Sequence, residues 1–309
     1  MISTGTETKE TQGGARLMTG LVPMMVLAVN PSKKELEAIY DRDLDKDPEY
    51  LSADEQGVKK LRVDFIMKTV INDKLGCSEE IITKVPFFLE DKPAYTSDES
   101  KVYVLNLYGE NACIPVEDAK KNTVPENMAW YNTTKMRPAY RGELELVLFL
   151  KAYLGIPNRA YKDKVIPDVT KAEIQLEKIK SYFSGDIKEF VSVVNLRKPT
   201  NIVLLAGGVR TTEDNKQYQS WYLKKPLKYG TTNLQYIQKD IVERQSQMNI
   251  DFGPADLKFR IYNNEPTVFD NPTKSSVEVN DDPFVIAISS GIPANAGVNS
   301  APPVDFWTN

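Results

Sequence analysis

The stretch Asn201–Tyr229, NIVLLAGGVRTTEDNKQYQSWYLKKPLKY, constrains this chain most, because it reads as two strands joined by a polar turn. Ile202–Leu205 is β-branched and aliphatic, and Gly207-Gly208 marks a bulge or a close backbone approach. Residues 212–216 supply the turn, after which Gln217–Lys225 resumes as a strand rich in Tyr and Trp. Two-residue periodicity sets Tyr218, Ser220, Tyr222 and Lys224 on one face and Gln219, Trp221, Leu223 and Lys225 on the other. One of those faces is expected to be core, so the chain is expected to be organised around a sheet.

Charge adds a second expectation. From Arg197 to Gly230 seven cations (Arg197, Lys198, Arg210, Lys216, Lys224, Lys225, Lys228) stand against two acids, Glu213 and Asp214, in a chain whose net charge is -4. Cations interleaved with aromatics suit single-stranded nucleic acid, where phosphates are tracked by charge and unpaired bases stack on rings. The candidates are Arg210, Lys216, Tyr218, Trp221, Tyr222, Lys224, Lys225 and Lys228. The plainer alternative is an amphipathic hairpin whose lysines guard a sheet edge. A second stretch of this kind is WYNTTKMRPAYRGE, residues 130–143, with Trp130, Tyr131, Lys135, Arg137 and Arg141 as candidates beside Tyr140. Its alternative is a strand-to-helix connection whose aromatics cap the core.

The chain contains no histidine and only two cysteines, Cys77 and Cys113. That removes Ser-His-Asp and Cys-His catalysis and the ordinary zinc sites. Catalysis would fall to carboxylates, Lys, Tyr or a carboxylate-bound Mg²⁺, yet no clustered acidic motif stands out. Nor is there a phosphate-binding loop, a dinucleotide fingerprint or a zinc knuckle. The expectation is therefore a protein without enzymatic activity, cofactor or metal. No apolar run approaches the roughly 20 residues of a spanning helix, and the first residues lack a signal-peptide pattern, so a cytoplasmic protein with two free thiols is expected.

Residues 1–20 read as a flexible arm, 21–269 as a single β-rich domain with a helical insertion at about 143–183, and 270–309 as an acidic tail. The expected strands are Leu21–Val29, residues 58–71, Ile81–Leu89 with Pro86 marking an edge or bulge, Lys101–Leu107 and Lys258–Tyr262. Ser32 with Glu35 forms a capping box for a short helix whose apolar stripe is Leu36, Ile39 and Tyr40. Glu143–Leu154 reads as a buried helix ended by Gly155, and Thr170 with Glu173 opens another that runs to Phe183. Polar turns link the strands, and no full-length crossover helix lies between them. The fold class is therefore α+β and β-rich: an OB-like antiparallel barrel or sandwich with inserted helices. The tail carries a net charge of -4, and Asp281, Asp282, Phe284, Asp305, Phe306 and Trp307 are its candidate partner-binding residues.

The elements AVNPSKKEL, RPAYRGELELVLFLKAYLGI and VLLAGGVRTTEDNKQYQSWY, followed by a loose acidic tail, resemble the single-stranded DNA-binding proteins of crAss-like tailed bacteriophages. The resemblance covers residues 21 to about 269. It implies an OB-like barrel, no catalysis, and coating of unpaired DNA during phage genome replication in the host bacterial cytoplasm. It also implies contacts with phage replication proteins through the tail. Asn280-Asp281-Asp282-Pro283-Phe284 is similar to the acidic tip of bacterial single-strand binders, but here that segment is internal. Two other classes stay open on the residues alone: a virion-associated structural or assembly protein, and a carboxylate- and Mg²⁺-dependent nuclease.

Overall fold

A sequence with this many β-branched and aromatic runs forms mostly strands. The computed structural model describes residues 3–5, 16–154, 182–183, 201–213, 215–228, 237–241 and 249–262. The tail residues Asp281, Asp282, Phe284, Asp305, Phe306 and Trp307 lie outside the described residues, as does the expected helix from Thr170 apart from Tyr182 and Phe183. In chain order the strands are β1 (Ser3–Gly5), β2 (Met18–Val29), β3 (Leu51–Ala53), β4 (Lys59–Thr69), β5 (Ile81–Pro93), β6 (Lys101–Leu105) and β7 (Asn111–Pro115). They continue with β8 (Arg137–Pro138), β9 (Tyr140–Arg141), β10 (Val203–Thr211), β11 (Gln217–Lys228), β12 (Ile250–Asp251) and β13 (Arg260–Ile261). The helices include α1 (Lys33–Tyr40), α2 (Val116–Lys120) and α3 (Glu143–Leu154). Among the described residues, no helix is long and apolar enough to cross a membrane.

The fold is mixed α+β and β-rich, with few helices and a curled, mainly antiparallel sheet. Its strand order is β1-β5-β4-β2-β10-β11. β2 pairs antiparallel with both β4 and β10, β10 pairs antiparallel with β11, and β1 joins β5 in parallel. The chain divides into two compact units interleaved in sequence: 1–48, 64–86 and 197–286 form the first, and 49–63, 87–196 and 287–309 the second.

In the first unit β2 is flanked on both sides, and its side chains are nearly all buried. Because Met18 and Thr19 still pair with β13, this strand starts before the expected Leu21. α1 has the expected capping box: the Ser32 hydroxyl accepts from the Glu35 N–H at 3.3 Å, and the Glu35 carboxylate accepts from the Ser32 N–H at 2.9 Å. Leu36 packs with Ala28, Ile66 and Ile82, with Ile39 and Tyr40 alongside. That packing explains why β4 is buried at Ile66 as well as at Phe65 and Met67 on the opposite face: α1 covers the Ile66 side.

β10 and β11 form the expected hairpin, but β10 runs unbroken through Gly207-Gly208. Both glycines mark close approach. A Cβ on Gly207 would stand 3.0 Å from the Met18 carbonyl oxygen and 3.0 Å from the Trp221 ring, and one on Gly208 would stand 2.6 Å from Ile250 and 2.8 Å from Phe252. The bulge lies elsewhere. Ala206 faces Tyr222 and Leu204 faces Leu227, so residues 223–226 together oppose Leu205. Pro226 cannot donate to a ladder, which accounts for the interruption there. The even alternation expected for Lys224 and Lys225 therefore ends at Tyr222.

In the second unit β7-β6-β8 is a separate three-stranded sheet, so β6 does not join the strand order that holds β10 and β11, as a single barrel would require. Val102, Val104, Ala112, Ile114 and Tyr131 form its core. α3 is buried as its composition predicts, with Phe149 against Phe87 at 5.2 Å between ring centroids. Two charged residues share that burial, Glu143 and Lys151.

Candidate nucleic-acid interface

The β10–β11 turn is built by backbone chemistry. The Thr212 N–H donates to the Lys216 carbonyl at 2.9 Å, and Asn215 takes the left-handed conformation (φ 60°) that Asn tolerates. This geometry sets Arg210 directly opposite Tyr218 across the strands, with Lys216 beside them at the turn. Tyr218 is 37% exposed, one of the few large apolar side chains among the described residues that are. Neither the Arg210 nor the Tyr218 side chain has a hydrogen-bond or ion-pair partner among the described residues. On the other side of β10, Arg210 pairs with Ile250 of β12, so Arg210 stands in register between an apolar residue and Tyr218.

Farther from the turn, Trp221, Tyr222 and Lys225 are committed to the fold. Tyr222 is buried against Phe252, ring centroids 6.0 Å apart at 84°, and its hydroxyl donates to Asp240. Asp240 also takes the Lys225 ammonium at 3.2 Å. Lys224 is half-buried within the bulge, and Lys228 ends β11 opposite Val203. Trp221 is half-buried on the opposite face, and its indole N–H donates to the Lys84 carbonyl at 3.0 Å.

The neighbour that sets this arrangement is Gln219. Its amide nitrogen donates to the carbonyls of Met18 and Gly208 at 3.0 and 3.1 Å, and its oxygen accepts from the Met18 N–H at 2.7 Å. The side chain thus bonds β2 from β11 in the way a peptide group would, over a β10 that carries only glycine beneath it.

The second stretch is mostly structural. Arg137 grips the fully buried Glu143 carboxylate with both arms, at 2.6 and 2.9 Å, and lies 5.4 Å from the centroid of the Tyr140 ring. Burial pulls the Arg137 guanidinium down, but the two Glu143 bonds and their charge outweigh it and hold the group above its ordinary value. Glu143 also accepts from the Tyr140 N–H at 2.9 Å, which ties the connection to the first turn of α3. Arg141 pairs with the buried Glu90 at 3.2 Å. Tyr131 is a core residue whose hydroxyl donates to the Glu110 carbonyl at 3.2 Å, and burial pushes its phenol far above the usual range. Trp130, 38% exposed, and Lys135 remain at the surface.

Of the hairpin candidates, then, Arg210, Lys216 and Tyr218 come together at the tip, while Trp221, Tyr222 and Lys225 hold the sheet. Sequence reading missed Gln219, Asp240 and Glu143, although a Gln opposite a glycine pair and a Glu six residues after an Arg were visible signals. Among the described residues no cluster of three or more metal-ligating side chains occurs. No family model matches the sequence, and no curated protein or solved structure matches it either.

Proposed function

We propose that this protein binds single-stranded DNA, with the tip of the β10–β11 hairpin as its contact surface. The observation that carries the reading is the cross-strand pair of a half-buried Arg210 and an exposed Tyr218, neither side chain bonded among the described residues, beside Lys216. A guanidinium can hold a phosphate while the ring next to it stacks on an unpaired base, an interaction of about 1 to 3 kcal/mol per base. The curled sheet β5-β4-β2-β10-β11 is read as an OB-like barrel, a reading supported by the Trp221–Lys84 bond between its first and last strands. The protein would coat and protect unpaired DNA during phage genome replication in the bacterial cytoplasm, without catalysing a reaction, and recruit replication proteins through its acidic tail.

A gel shift with labelled oligo-dT against a duplex of equal length tests the reading. Binding that prefers the single strand and weakens with salt supports it. Equal retention of both, or of neither, favours a virion-associated structural protein, and Mg²⁺-dependent loss of the oligonucleotide favours a nuclease.

A further inference from the structure

We infer that Ile250 makes the hairpin tip selective for thymine, by taking the C5-methyl group of the base next to the one stacked on Tyr218. The inference rests on the reading that the tip binds single-stranded DNA, and it adds which base that surface prefers.

The side chain of Ile250 lies on the same face as Arg210 and Tyr218. Gly208 shares the Arg210 face because it comes two residues earlier in β10, and Tyr218 joins that face as the cross-strand partner of Arg210. A Cβ on Gly208 would stand 2.6 Å from Ile250 Cγ2 and 2.8 Å from Phe252 Cδ1, so both side chains cover this face. Tyr222 meets the Phe252 ring there, and the two form a buried floor. Towards the turn that floor gives way to a half-buried Ile250 and then to an exposed Tyr218. Ile250 packs against the core beneath it. Its backbone is held as well: it pairs with Arg210, and the Asn249 side-chain amide donates to the Thr211 carbonyl at 3.4 Å.

Two strand spacings, about 10 Å, separate Tyr218 from Ile250 at the backbone, with Arg210 in register between them. A ring offers a stacking face to any base, whereas an aliphatic side chain has no such face and favours an apolar substituent. Among the four DNA bases thymine alone carries one, its C5-methyl group. Tyr218 therefore contributes affinity without regard to base, Arg210 the phosphate between two nucleotides, and Ile250 the choice of the neighbouring base.

Fluorescence anisotropy with oligo-dT and an oligodeoxyuridine of equal length, which lacks only the methyl groups, tests this. The parent should bind oligo-dT roughly fourfold more tightly, the effect of burying one methyl group. Ile250→Ala should bring the ratio close to one, while Tyr218→Ala should weaken both complexes and leave the ratio in place. Ile250→Gln is the second variant, since its stem keeps contact with the core while its amide removes the apolar surface; it should lose the preference with an unchanged circular dichroism spectrum. Equal affinity of the parent for the two oligonucleotides, or a preference that survives in a folded Ile250 variant, overturns the inference and leaves the single-strand reading standing. Binding of neither oligonucleotide removes both.

Discussion

The indole N–H of Trp221 in β11 donates to the carbonyl oxygen of Lys84 in β5 at 3.0 Å, although β4, β2 and β10 lie between those strands in the sheet order. The sheet is therefore curled, and a side chain of β11 reaches the backbone of β5. Trp221→Phe keeps the ring over Gly207 and removes only the donor. It should cost about 1 to 2 kcal/mol in urea denaturation by leaving the Lys84 carbonyl without its partner. Unchanged stability would mean that solvent replaces the indole at no cost.

Gly208 is a site where close backbone packing leaves no room for a side chain. A Cβ there would meet Ile250, Phe252 and the Asp251 carbonyl oxygen, all at 2.6 to 2.9 Å. Gly208→Ala should lose about 1 to 3 kcal/mol by forcing β12 away from β10. Gly57 in its open turn has nothing within 4 Å of an added Cβ, so Gly57→Ala carries only the strain of its positive φ and should lose less. The ordering of the two midpoints checks the packing.

Lys151 is 2% exposed, and among the described residues its ammonium reaches the Gly109 carbonyl, at 3.4 Å. Burial pushes it down to about 8 from 10.5, with Glu110 opposing the shift. Between those two pH values the unfolded chain holds the proton and the folded one does not, so stability rises with pH across that window. The shift corresponds to something on the order of 3 kcal/mol. The stability difference between the parent and Lys151→Met should therefore change between pH 7.5 and pH 10, the parent gaining on the variant as pH rises. A difference that stays constant would mean Lys151 is charged in the folded chain throughout.

Much of the fold was legible because local signals agreed with it. Ser32 and Glu35 placed the start of α1, and the apolar circumference of Glu143–Leu154 announced its burial. The polar run 212–216 located the hairpin turn. β7 was missed because NACIP is short and lacks alternation that stands out from its polar surroundings. The site was legible only in outline. Counting cations over residues 130–143 could not reveal that Arg137 and Arg141 are matched to Glu143 and Glu90, because Glu90 lies far away in sequence and meets Arg141 only through β5–β9 pairing. Likewise the alternation of Tyr218, Tyr222 and Lys224 holds only until the bulge at 223–226, which a single proline within a strand signals weakly.

The most direct measurement is a double-mutant cycle on oligo-dT affinity with Arg210→Ala, Tyr218→Ala and the pair, read by fluorescence anisotropy over a range of salt. Arg210→Ala should reduce the slope of log affinity against log salt by about 0.7, the change expected when one fewer phosphate is neutralised on a single strand. Tyr218→Ala should weaken binding by about 1 to 3 kcal/mol and leave that slope in place. The double variant should show coupling, since the two side chains face each other across the ladder. Parental affinity and slope in all three variants, with the fold intact, would contradict the assignment of the hairpin tip as the DNA-binding surface.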